Sequence, residues 1–108
     1  VSHLRVHDLK CDLDLLRSVA VGRKRFEIRR NDRGFFTFDR LLLRGFDRAT
    51  QEYNGEWVWV LVDYILPEYD GLEPGYVVMS ITKIAVGTNE DEWRSYPSIV
   101  NNILQVPS

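Results

Sequence analysis

The chain has 108 residues, 44% of them hydrophobic, with a formal net charge of −2, which is enough apolar content for one domain core and sets the chain apart from strongly basic, non-specific duplex binders. No run approaches the roughly 18 apolar residues that span a bilayer, and no charged-then-apolar leader opens the sequence. The lone Cys11 has no partner for an internal bridge, so a soluble, cytoplasmic single domain is expected, folding without metal or disulfide and with no membrane partner.

His3-Leu4-Arg5-Val6 alternates polar and apolar residues and predicts a short opening strand. Leu9, Leu13, Leu16, Val19 and Ala20 then recur at helical spacing before Gly22, predicting one amphipathic helix over about residues 12–21. Lys24 to Arg30 alternates strictly, with Phe26 and Ile28 on one face and Arg25, Glu27 and Arg29 on the other, the pattern of a half-buried strand. Asn31-Asp32-Arg33-Gly34 supplies turn chemistry.

Asp39 precedes Leu41-Leu42-Leu43, a third strand that reaches about Phe46. Asn54-Gly55 stands between two strand-like stretches as a hairpin signal. Residues 56–66, rich in Trp, Val and Ile, read as a central strand covered on both faces. Two prolines and two glycines over residues 67–75 make a loop, and residues 76–86 another long strand. The tail from Asn89 has no clear pattern, with a short closing helix expected at residues 97–104. One early helix followed by four or five mostly sequential strands argues against a parallel α/β sheet and for an α+β fold built on a small closed or nearly closed β-barrel.

Charge is unevenly spread. Residues 23–33 hold six basic side chains (Arg23, Lys24, Arg25, Arg29, Arg30, Arg33) against Glu27 and Asp32, so a positive surface is expected on an acidic protein. Acidic residues gather at 68–73 and 90–92, and the first of these loops would be the handle if the protein acts through a protein partner. Guanidinium groups match phosphate with paired donors, which makes Lys24, Arg29, Arg30 and Arg33 candidate ligand contacts; the alternative is a solvated strand face with cross-strand ion pairs. Strict alternation sets Lys24 opposite Glu27, so the two can share a pocket only if the strand bulges or ends there. Glu27 is either an acceptor or base toward a ligand, or the partner of a neighbouring arginine.

His3, His7 and Cys11 stand four apart, but they run from strand to helix without a fourth ligand, so no metal site is predicted. Trp57, Trp59, Tyr64 and Tyr76 are either stacking surfaces or core, and Tyr64 and Tyr76, with polar tips near loops, are the better ligand candidates. No Walker loop, dinucleotide glycine motif, nucleophile elbow or His-Glu-x-x-His helix is present, and no cofactor is implied.

Gly22-Arg23-Lys24-Arg25-Phe26-Glu27-Ile28-Arg29, followed by Asn31-Asp32-Arg33 and later Phe38-Asp39, resembles the signature of ASCH domains, relatives of the PUA fold. The opening His3-Leu4-Arg5-Val6, the segment from Phe26 to Arg33 and the late strand Gly75-Tyr76-Val77-Val78 resemble more closely a bacterial and phage family, DUF3850, over about residues 2–86. The resemblance implies a PUA-like pseudobarrel with a cleft beside the early helix, and RNA or modified-nucleotide binding there. The cleft residues are then Lys24, Glu27 and Arg29 with His3 and Tyr76. One ASCH branch hydrolyses acetylated cytidine with a lysine, a threonine three residues later and a late-strand glutamate. Lys24 matches the lysine, but Glu27 replaces the threonine and Val77 or Val78 the glutamate. An enzyme is therefore the alternative, with Lys24 and Glu27 as its acid/base pair.

Overall fold

The computed structural model describes residues 5–94. In chain order the elements are β1 (Val6–Asp12), α1 (Leu13–Ala20), β2 (Phe26–Arg30), β3 (Arg40–Asp47), β4 (Glu52–Leu66), β5 (Tyr76–Gly87) and α2 (Glu90–Arg94). The expected helix at residues 97–104 and His3 lie outside the described residues. Among the described residues no helix is long and apolar enough to cross a membrane.

The five strands form one mixed sheet in the order β1-β3-β4-β5-β2. All ladders are antiparallel except β1 with β3, which run parallel from Val6↔Arg40 to Asp12↔Phe46. The meander predicted from strand order is thus corrected. A parallel neighbour needs a long crossover, and α1 together with β2 supplies it between β1 and β3. Among the described residues the sheet curls into a half-barrel instead of closing: β1 and β2 are its two edges and no ladder joins them.

β4 is the middle strand, and its four consecutive buried residues, Trp57 to Val60, confirm cover on both faces. Val58, Val60 and Val62 pack with Leu41, Leu43, Val77 and Met79 against Leu16 and Val19 of α1. Trp57 and Trp59 point the other way, to Leu42 and Trp93 of α2, so both tryptophans belong to the core. Burying Leu16 and Val19 contributes on the order of 1.5–3 kcal/mol each and holds α1 to the sheet. Gly45 on β3 lets the helix approach: a Cβ there would lie 2.8 Å from Leu13 Cδ2 and 3.1 Å from Leu16 Cδ2.

Helix α1 ends as predicted. Gly22 has φ +81°, its N–H donates to Val19 O at 3.0 Å, and the Arg23 N–H donates to Ser18 O at 2.9 Å. These are the two bonds of a Schellman motif, which favours glycine because of its left-handed backbone. Lys83 Nζ on β5 donates to Ala20 O at 2.8 Å, meeting another carbonyl of the last turn. Arg17 binds Glu56 of β4 with two bonds, Nε to Oε1 at 3.0 Å and Nη2 to Oε2 at 2.7 Å. Those bonds hold the Glu56 carboxyl below its usual range.

Three local expectations are corrected. First, Val6 to Asp12 is strand throughout, so Leu9 lies on β1 and not on the helix. Second, Asn54-Gly55 is not a hairpin turn. The chain reverses at residues 48–51, where Asp47 Oδ1 accepts from Ala49 N at 2.8 Å and the Gln51 N–H donates to Asp47 O at 2.7 Å. Asn54 and Gly55 instead fall at the irregularity between the pairs Arg44↔Trp57 and Phe46↔Tyr53, a bulge for which Gly55 at φ +97° is suited.

Third, the faces of β2 are inverted relative to hydrophobic-in alternation. Glu27 is buried, while Phe26 and Ile28 are exposed. Register against β5 explains this. Glu27 pairs with Met79 and Arg29 with Val77, both core residues, and directly paired side chains share a face.

Candidate functional site

The seam between β1 and β2 is where a site can form, because two unpaired edges and the N-terminal helix meet there. An open cavity of about 750 Å³ lies along it. Its walls come from Lys10, Cys11 and Asp12 at the end of β1, Leu15 and Ser18 on α1, and the segment from Arg23 to Arg29 except Arg25; Arg48 reaches in from the β3–β4 turn. Five cationic side chains face two carboxylates there, although the whole chain is acidic.

Glu27 organises the cavity. Its Oε1 accepts from Lys24 Nζ at 2.5 Å and its Oε2 from Arg29 Nε at 2.9 Å. The Glu27 side chain is only 4% exposed, against 13% for Lys24 and 25% for Arg29. Lys24 reaches Glu27 because β2 begins only at Phe26, the strand end that strict alternation required. Lys24 Nζ also donates to Phe26 O at 2.6 Å and lies 4.8 Å from the centroid of the Phe26 ring. Arg29 Nη2 crosses the seam to Lys10 O at 3.0 Å. A lysine carries three donors and an arginine five, so among the described residues Lys24 keeps one N–H and Arg29 three for a ligand.

Cys11 sits on β1 beside this group and is buried. Burial pushes its thiol up from 9.0 to about 11, helped by the Glu27 carboxylate and opposed by Arg29 and Lys24. A thiol so held is a packing group and a poor nucleophile at neutral pH. Asp12 makes no side-chain cap for α1; its Oδ1 accepts from Arg48 Nε at 2.7 Å and draws that arginine to the cavity.

Of the residues singled out in the sequence, Lys24, Glu27 and Arg29 converge in this cavity. Arg30 and Arg33 line an adjoining hollow that also includes Arg29. Tyr76 pairs with Arg30 across the β2–β5 ladder, with the Arg30 guanidinium 5.2 Å from its ring centroid, and lines neither hollow. Tyr64 is exposed on β4 and also lies apart from both. The acidic loop encloses a separate surface hollow with Pro67, Tyr69 and Gly75. His7 is turned to Asp39, with its Nε2 2.8 Å from Asp39 Oδ2. Among the described residues no group of three His, Cys, Asp or Glu side chains is arranged to hold a metal ion.

Lys10, Cys11 and Arg48 were missed as cavity residues. The sequence signal for Lys10 and Cys11 was the alternation of His7, Leu9 and Cys11 along β1, which the stronger helical spacing beginning at Leu9 obscured; Arg48, in the turn between β3 and β4, carried no such pattern.

No curated protein matches the chain. The family described as Domain of unknown function (DUF3850) matches residues 6–81, from the start of β1 to the middle of β5 and including every element that lines the cavity, and the chain belongs to that family.

Proposed function

We propose that this domain is a binding module that holds RNA or a modified nucleotide in the β1–β2 seam. The observation that carries the reading is the buried Glu27 fixed between Lys24 and Arg29, which preorganises two cations at the edge of an open, positively charged cavity. Preorganised donors lose little freedom on binding, and guanidinium geometry suits a phosphate oxygen pair. The volume of about 750 Å³ lies inside the roughly 300–1,000 Å³ typical of small-ligand sites. Phe26, exposed at the rim, offers a ring on which an unpaired base can stack.

The resemblance of the Gly22 to Arg33 segment to ASCH domains supports the same reading, and with it an assignment of the half-barrel to the PUA superfamily. A buried free thiol suits a protein of the cytoplasm. Acid/base catalysis by Lys24 and Glu27 has weaker support, because each is already the other's ion partner.

Filter-binding titration against single-stranded RNA and nucleoside monophosphates tests the proposal. Affinity should fall as salt rises, and Lys24→Ala should weaken it by roughly tenfold through loss of one phosphate contact. Binding that is absent, or indifferent to salt and to Lys24, would overturn it.

A further inference from the structure

We infer that the ligand extends beyond one nucleotide: the site takes a short stretch of single-stranded RNA with at least two phosphates, the second held beside Arg30 and Arg33. This rests on the nucleotide reading above. A second hollow of about 450 Å³ adjoins the main cavity. Lys10, Arg29 and Arg48 line both, so the two form one trough along the seam.

With Arg29 held by Glu27, only part of the positive charge in the second hollow is matched. Its carboxylates are Asp8 and Asp32; Asp8 Oδ2 already accepts from Arg44 Nη1 at 3.1 Å, and Arg48 is drawn to Asp12. Among the described residues neither Arg30 nor Arg33 has a carboxylate within ion-pair distance. Arg30 instead lies over the Tyr76 ring, with its guanidinium carbon 5.2 Å from the centroid. The main cavity alone has the size for one nucleotide, and a mononucleotide seated there leaves Arg30 and Arg33 unmatched. A chain continued by one phosphodiester brings an anion to them.

The experiment compares the four nucleoside 5′-monophosphates with a mixed-sequence tetranucleotide RNA, each titrated at several salt concentrations. The tetranucleotide should bind at least about tenfold tighter, and its log affinity should fall more steeply with log salt by about 0.7 for each further phosphate neutralised. Arg30→Ala with Arg33→Ala should remove both the gain and the added slope, lowering tetranucleotide affinity far more than monophosphate affinity. Both side chains are exposed, so the double variant should keep the wild-type melting temperature. A tetranucleotide that binds no tighter than a monophosphate overturns the inference alone, as does a double variant that weakens both ligands equally. Failure of the wild-type chain to bind either class overturns it together with the nucleotide reading.

Discussion

Arg29 on one edge of the sheet donates its Nη2 proton to the backbone carbonyl of Lys10 on the opposite edge, 3.0 Å away. No ladder closes the half-barrel between β1 and β2, so this side chain does across the seam what a backbone pair does elsewhere. It also holds Glu27. One residue therefore couples the shape of the cavity to its charge.

Arg29→Lys should show that coupling. Lysine keeps the charge but loses the fork that serves Glu27 and Lys10 together. We expect a loss of about 1.5–3 kcal/mol, the range for a hydrogen bond to a charged group, read as a lower denaturant midpoint. Amide exchange in β2 should quicken more than in β4.

Glu27→Ala should be more severe. It leaves Lys24 and Arg29 as neighbouring cations without their shared carboxylate, and breaking a buried pair costs about 3–5 kcal/mol. The low end applies, since Arg29 is 25% exposed. A shift of the urea midpoint that grows at low salt would check it. A change under about 1 kcal/mol would mean that the pair is a surface contact.

Cys11 predicts a pH dependence. Its thiol titrates near 11 in the folded chain against an ordinary 9.0. Below pH 9 both states hold the proton and the contribution is whole; as pH rises toward 11 the unfolded chain ionises first, and up to about 3 kcal/mol is lost. Stability of the wild-type chain should therefore decline more than that of Cys11→Ala across this window. Parallel curves would contradict the burial of the thiol. Thiol reagents at pH 7.5 should label Cys11 only as the chain unfolds.

Asp39→Ala should destabilise the chain by about 3 kcal/mol, through a buried network with no ligand role. Asp39 Oδ2 accepts from the Phe36 N–H at 2.9 Å and lies 2.8 Å from His7 Nε2. A carboxylate only accepts, so the His7 proton sits on Nε2. Calorimetry reads the loss, and nucleotide affinity at low temperature should be unchanged.

Gly45→Ala should cost about 1–3 kcal/mol by overpacking, because the added methyl meets Leu13 and Leu16 of α1. The nearest atom is Asn54 Oδ1 at 2.5 Å, and its side chain and the two leucine side-chain ends must shift to admit the methyl, a loss that thermal unfolding should read as a lower melting temperature.

Features whose physics is local were legible along the chain. Gly22 ended α1 because only a left-handed residue completes its last two bonds. The Trp, Val and Ile content of β4 marked a strand buried on both sides, and the basic segment was visible as a count of charges. Tertiary structure decided the rest. Alternation divided β2 into two faces, but only its register against Met79 and Val77 chose which face is inside, and so buried Glu27 in place of Phe26 and Ile28. The extent of closure, and the arrival of Lys10 and Arg48 beside Lys24, depend on how a curled sheet brings its distant edges together. Spacing along a chain fixes which side chains share a face, whereas what that face meets is set by strands far away in sequence.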